Sequence, residues 1–164
     1  MRDLLEATAL SPEPWQLKLI GTGPAGDMLR DRAHALGLAE RVHFRPFLSD
    51  RAALAREYAR ARCVVLPGPH ETFGLVALEA AACGAPVVTA ARTPAASLLA
   101  GSVETFTAGD PADLARAIGR ARRRTPDLAD VVMLAARHSW EAAIAAELAD
   151  LRALVDRFAA RVAG

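Results

Sequence analysis

Residues 70–88 read HETFGLVALEAAACGAPVV, and between Thr72 and Ala91 the only acidic or basic side chain is Glu79. Apolar residues recur at helical spacing from Phe73 to Cys83, Gly84 follows the last of them, and Pro86–Thr89 resumes as a short apolar run. The stretch therefore reads as a helix that feeds a strand. The helix is expected to be buried and to carry one charge. A buried carboxylate is costly unless it is paired or hydrogen-bonded, so Glu79 needs a partner. Nineteen arginines are available to pair with it. The alternative is a ligand, because a vicinal diol such as a ribose donates two hydrogen bonds to one carboxylate.

Working outward, the chain alternates short apolar runs with longer helical patterns. The expected strands are Gln16–Ile20, Arg41–Phe44, Cys63–Leu66, Pro86–Thr89 and Val103–Phe106. The expected helices lie near Gly26–Leu38, Asp50–Arg60, Phe73–Cys83 and Pro94–Leu99. Such alternation argues for an α/β fold, a doubly wound parallel sheet with right-handed crossovers and helices on both faces. From Asp110 onward the pattern is helical, with Asp110 or Thr125 as caps, Pro111 or Pro126 in first turns, and a long segment from Trp140 to Ala160. At 164 residues the chain holds one sizeable core, so it is expected to be a single domain, with residues 1–109 as the sheet part and 110–164 as the helical part.

Charge excludes one class of partner. Twenty basic residues against 19 acidic ones give a formal net charge of +1, which provides no broad nucleic-acid footprint. The two cysteines, Cys63 and Cys83, lie in apolar runs and read as buried thiols of a reducing compartment. The N-terminal MRDLLEATAL has no apolar signal core and no run approaches a membrane span, so a cytoplasmic chain is expected.

In such sheets ligands bind beyond the carboxyl ends of the strands. Three loops there carry chemistry. GTGPAG, residues 21–26, places Gly21 and Gly23 where the backbone can approach a diphosphate near a helix start. As a dinucleotide fingerprint it wants an acid about 20 residues on, where this chain has Arg45, Pro46 and Phe47. RPFLSD, residues 45–50, offers Arg45 and Phe47 to a base or phosphate, with Ser49 or Asp50 as a helix cap. The third loop runs through His70, Glu71, Phe73 and Gly74 into the helix that carries Glu79, so a phosphate or polar sugar docked at that helix start would be flanked by two carboxylates.

Residues 67–88, PGPHETFGLVALEAAACGAPVV, resemble the signature of the retaining GT-B glycosyltransferases of family 4, the group related to glycogen synthase. The resemblance includes the pair Glu71 and Glu79 at E-x7-E spacing, Phe73-Gly74, Glu79-Ala80 and Gly84-x-Pro86-Val87-Val88. LKLIGTGP, RVHFRPFL, YARARCVVLPG and HSWEAA resemble other parts of the family pattern, so nearly the whole chain is covered. The wording PGPHETFGL looks most like the GDP-mannose-dependent phospholipid mannosyltransferases.

The resemblance implies a Rossmann-like C-terminal donor domain for a nucleotide diphosphate sugar, with GDP-mannose as the subfamily's donor and no metal. By the same analogy Glu79 holds the nucleotide ribose, and Glu71, the catalytic residue of the set, contacts hydroxyls of the donor sugar. Phe73, Gly74 and Leu75 turn backbone amides to sugar and diphosphate, His70 borders the donor, Gly21 and Gly23 approach it, and Arg45 lies near the base. A phospholipid acceptor implies peripheral membrane association of the intact enzyme.

Departures from the family pattern carry expectations too. The chain starts inside the helix DLLEATAL, so the preceding strand, the Arg and Lys of the diphosphate clamp and the acceptor domain are expected to be missing, and the isolated chain to be inactive. In a 3-2-1-4-5-6 order the absent strand is central. Leu17–Ile20 and Val64–Leu66 are then expected either to close on one another or to recruit a strand, and the last helix to show an apolar face that favours self-association with another copy. The competing readings are a non-catalytic nucleotide-binding module, one half of a two-chain enzyme, and a dinucleotide-dependent oxidoreductase that rests on GTGPAG alone.

Overall fold

The computed structural model describes residues 1–70, 73–99 and 102–162. Its order is α1 (Arg2–Leu10), β1 (Leu17–Ile20), α2 (Gly26–Ala35), β2 (Val42–Arg45), α3 (Arg51–Arg60), β3 (Val64–Leu66), α4 (Leu75–Ala82), β4 (Val87–Ala90), α5 (Pro94–Leu98), β5 (Val103–Phe106), α6 (Pro111–Ala121), α7 (Leu128–Arg137) and α8 (Trp140–Val162). Every strand pairing is parallel. Alternating strands and helices therefore form the parallel α/β architecture that the sequence pattern implies.

The sheet, however, is in two pieces. β1 pairs with β2 in the register Leu17↔Val42 to Ile20↔Arg45, and β3, β4 and β5 form a separate sheet in that order. The expectation that Leu17–Ile20 and Val64–Leu66 close directly on one another is not met. The helices account for this. Leu4 of α1 packs into the cluster of Val88, Phe106, Leu114 and Ile118, whereas its neighbour Leu5 packs with Ala33, Leu38 and Val42. One helix thus seals both half-sheets from one side while α3 packs on α4, and the halves are held as one compact unit, Met1–Pro126, without strand contact between them. Each fully buried Leu or Phe of these clusters contributes about 1.5 to 3 kcal/mol. Arg32 of α2 donates to Glu6 of α1 at 2.9 Å and holds the Glu6 carboxyl below its usual range.

Helix ends follow local chemistry. Asp50 caps α3 by accepting from the Ala52 amide at 2.9 Å, and Asp110 caps α6 by accepting from the Asp113 amide at 2.9 Å, with Pro111 in the first turn. The cap of α7 is Asp127, which accepts from the Ala129 amide, rather than the expected Thr125. α2 ends before Leu38 because Gly37, at φ +69°, turns the chain out of the helix. The division expected at 109/110 falls inside the first unit, since α6 packs on β5 and α1.

The second unit, Asp127–Gly164, contains α7 and α8. Along α8, Ile144, Leu148, Leu151, Val155 and Phe158 recur at steps of four and three residues and are all exposed. The apolar face expected of the last helix is present. No helix among the described residues is long and apolar enough to cross a membrane.

Candidate functional site

The carboxyl end of β1 runs into the glycine turn. Gly21, at φ +138°, donates its amide to the Arg45 carbonyl at 3.0 Å, which pins the turn to the end of β2. The Gly23 carbonyl then accepts from Gly26 at 3.1 Å as α2 begins. A β-carbon at Gly21 or Gly23 would meet nothing within 4 Å, so both backbones are open to a ligand. They border a cavity of about 1330 Å³, which also reaches Phe47, Ser49, Arg51, Tyr58, Val76 and Glu79. Ligand binding beyond the carboxyl ends of parallel strands is the usual arrangement of such sheets.

Glu79 is on this cavity but it is exposed, not buried. The correction has a tertiary cause. Ala77, Leu78 and Ala80 take the covered face of α4, and position 79 turns to the open side beside α3. Its partner there is Tyr58, whose hydroxyl donates to Glu79 Oε2 at a long 3.5 Å. Among the described residues Glu79 has no ion-pair partner, so the internal arginine alternative is not realised. Glu79 borders the cavity with no cation paired to it among the described residues.

Burial, and then the neighbouring Glu79 charge, push the Tyr58 hydroxyl up to about 12. Tyr58 therefore stays a proton donor across the physiological range. Because the folded value lies above the ordinary one near 10, its stabilising contribution is full below pH 10 and is lost as pH rises toward 12. The decline in stability between pH 10 and 12, followed by denaturant unfolding, is expected to be shallower in Tyr58→Phe than in the parent; identical slopes would remove this coupling.

The other expected site residues divide. Arg45 ends β2 and is exposed, and His70, Phe73 and Leu75 are exposed as well, but none of the four borders the cavity. Glu71 lies outside the described residues. Gly74 has a structural duty: at φ +85° it opens α4, and a β-carbon there would sit 2.7 Å from the Ala95 β-carbon of α5. Lys18 lies within β1 and is committed to Glu57. Arg120 and Arg124 hold Glu104.

Arg51 and Tyr58 were not singled out by sequence. Arg51 is exposed at the start of α3, on the same end of the sheet as the glycine turn, and among the described residues it has no ion-pair partner. Burial raises the Cys63 thiol to about 11, and Cys83 is also raised, first by burial and then by Glu79. Both thiols are only partly buried, less than the apolar runs around them suggest. At about 11 the Cys63 thiolate is scarce at neutral pH, so its nucleophilicity is low.

The fold and cleft define a parallel α/β domain with an open glycine turn, a helix start and the Glu79 carboxylate around one ligand-sized space. Residues 1–131 match the family Glycosyl transferases group 1, and the chain belongs to that family. It is 37% identical over 176 residues to D-inositol 3-phosphate glycosyltransferase 2 of Catenulispora acidiphila, covering 94% of this chain and 41% of that one. A GDP-mannose-dependent alpha-(1-6)-phosphatidylinositol dimannoside mannosyltransferase of Mycobacterium tuberculosis is 45% identical over 80 residues, 49% of this chain and 20% of that one.

Among solved structures, sucrose-phosphate synthase from Thermosynechococcus elongatus superposes with a TM-score of 0.77 at 31% identity, covering 97% of this chain and 42% of that one. The Anabaena protein HepE, solved with UDP, gives a TM-score of 0.73 at 27% identity, covering 92% and 44%. The chain thus spans about two-fifths of the length of these longer relatives.

Proposed function

We propose that this chain binds the nucleotide diphosphate sugar donor of a glycosyltransferase that moves a hexose with retention of configuration, as in family 4. The observation that carries the reading is the convergence of the Gly21–Gly23 turn and the Glu79 carboxylate, unpaired by any cation among the described residues, on one cavity. The chemistry of a nucleoside diphosphate matches each part. Open backbone at Gly21 and Gly23, next to the start of α2, suits a diphosphate oxygen. Arg51 is a cation on the same rim. Glu79 accepts from the ribose diol, and Phe47, exposed on the RPFL loop, offers a face to the base.

The base and sugar are proposed by similarity. GDP-mannose follows from the mannosyltransferase relative, whereas HepE has been solved with UDP-glucose. Glu71 retains its proposed role at the sugar hydroxyls, with His70 and the backbone of Phe73, Gly74 and Leu75 near it. Transfer requires charge compensation on the departing diphosphate and exclusion of water. Arg30 and Arg51 both border the cavity, but Arg30 is paired with Asp27, which leaves a weak clamp on an open cavity, so catalysis is proposed to need a second, acceptor-binding domain or chain, without a metal cofactor. Peripheral membrane association is proposed for the intact enzyme only.

Calorimetric titration with GDP, UDP, ADP and NADH tests the reading. A nucleoside diphosphate is expected to bind and NADH is not. NADH binding with no response to any nucleoside diphosphate would overturn it in favour of a dinucleotide-dependent domain.

A further inference from the structure

A second concave surface lies at the other end of β1. Leu10 closes α1, Pro12 and Trp15 lead into the amino end of β1, and with Ala112, Ala115 and Gly119 of α6 they border a groove of about 550 Å³. The glycine turn follows the carboxyl end of the same strand, so the two are separated by its length, roughly 13 Å. Among the described residues Trp15 alone borders both the groove and the donor cavity. A space of this size, with an apolar floor and a few polar groups on its rim, has the form of a small-molecule site.

Gly119 and Arg123 distinguish it from an ordinary gap beside a helix. Glycine is a poor helix former, and nothing in the fold requires one at position 119. Its φ is not positive, and an added β-carbon would meet only Arg123 Nη1, at 3.7 Å, which is ordinary contact. The missing side chain keeps the floor open and leaves the Arg123 guanidinium beside it. That guanidinium has no ion-pair or hydrogen-bond partner among the described residues, whereas Arg116 and Arg120 on the same rim are engaged by Asp113 and Glu104. Glu13 borders the groove as well and lies 3.9 Å from Arg122. One uncommitted positive charge beside an apolar floor therefore sets the chemistry.

We infer that this groove is a second binding site, for a compact monoanion with an apolar body and a single carboxylate. The body covers Ala115 and Gly119 beside Trp15, and the carboxylate takes the two parallel N–H donors of the Arg123 fork, a charge-assisted pairing. A phosphate monoester is a poorer match, because its second charge meets Glu13 and finds only guanidiniums that acids already hold. The same balance argues against an anionic membrane surface, whose attraction grows with each uncommitted cation on one face. Occupancy bridges the α1–β1 loop and α6, so the ligand raises the melting temperature of the first unit by mass action. None of this depends on what binds in the donor cavity.

The probe is 2-naphthoate, titrated against the full chain and followed through the indole N–H resonance of Trp15, which donates to the Thr8 hydroxyl at 3.3 Å. Saturable binding is expected. The neutral isostere 2-naphthamide is expected to bind roughly tenfold or more weakly, because it lacks the charge. Arg123→Gln should lower naphthoate affinity by a similar factor, and Gly119→Leu should abolish binding by filling the floor while helix content is kept. Arg92→Gln removes an exposed arginine outside the groove and is expected to change nothing. Saturating GDP is expected not to displace the probe, so failure at the donor cavity and failure here are separate results. No shift of the Trp15 resonance, equal affinity for naphthoate and naphthamide, displacement by GDP, or undiminished binding to Arg123→Gln would overturn the inference. Should Gly119→Leu fail to fold, Arg123→Gln decides alone, since that side chain is exposed and unpaired among the described residues.

Discussion

Gly74→Ala is expected to destabilise the first unit by about 2 to 5 kcal/mol, because two costs coincide at this position. Gly74 opens α4 at φ +85°, ψ +28°, and a residue with a β-carbon pays about 1 to 2 kcal/mol in that left-handed region. The new methyl also has nowhere to go. It would stand 2.7 Å from the β-carbon and 3.2 Å from the α-carbon of Ala95, and the second of these is backbone of α5, which must move. Overpacking of that kind costs about 1 to 3 kcal/mol. Gly37→Ala is the internal comparison: its φ is +69°, but nothing lies within 4 Å of the added carbon, so only the backbone cost applies. Denaturant unfolding of both variants separates strain from contact. Equal losses would mean that α4 and α5 yield freely at Gly74.

The same residue shows what the sequence made legible. Strand runs such as Cys63–Leu66 and Val103–Phe106, and caps such as Asp50 and Asp110, depend on neighbours a few positions away and were read to within a residue or two. Gly74 was read as leaving amides open to a ligand, and its close approach to Ala95 depends on α5, twenty residues further on. Glu79 was expected to be buried because its neighbours in sequence are apolar. Which side of α4 is covered depends on how α3 lies beside it, and no periodicity in residues 73–83 records that. Tyr58 opposes Glu79 across 21 positions for the same reason. Alternating elements announced a parallel sheet, but local patterns do not say which strands are neighbours, so the gap between β1 and β3 was accessible only through an assumed strand order.

Glu79→Gln is expected to weaken nucleoside diphosphate binding by about 1 to 3 kcal/mol, roughly five- to 150-fold in dissociation constant, with little change in thermal stability. The amide fills nearly the same volume, so shape is conserved while the negative charge is lost. One carboxylate oxygen becomes an NH₂ donor that meets a ribose hydroxyl donor to donor, and the remaining hydrogen bond is no longer charge-assisted. Stability is insensitive because Glu79 is exposed and its one protein contact is the 3.5 Å approach of Tyr58, with no cation paired to it among the described residues. A buried ion pair would behave in the opposite way, since removing one partner strands the other charge at a large folding cost. Calorimetry and a melting curve on the same preparation therefore decide between the roles. Unchanged nucleotide affinity with a lowered melting temperature would make Glu79 a structural residue. Loss of affinity at a constant melting temperature places the ribose on Glu79, and Tyr58→Phe should then weaken binding by a smaller factor, because the carboxylate keeps its charge and loses only a long hydrogen bond that helps to orient it.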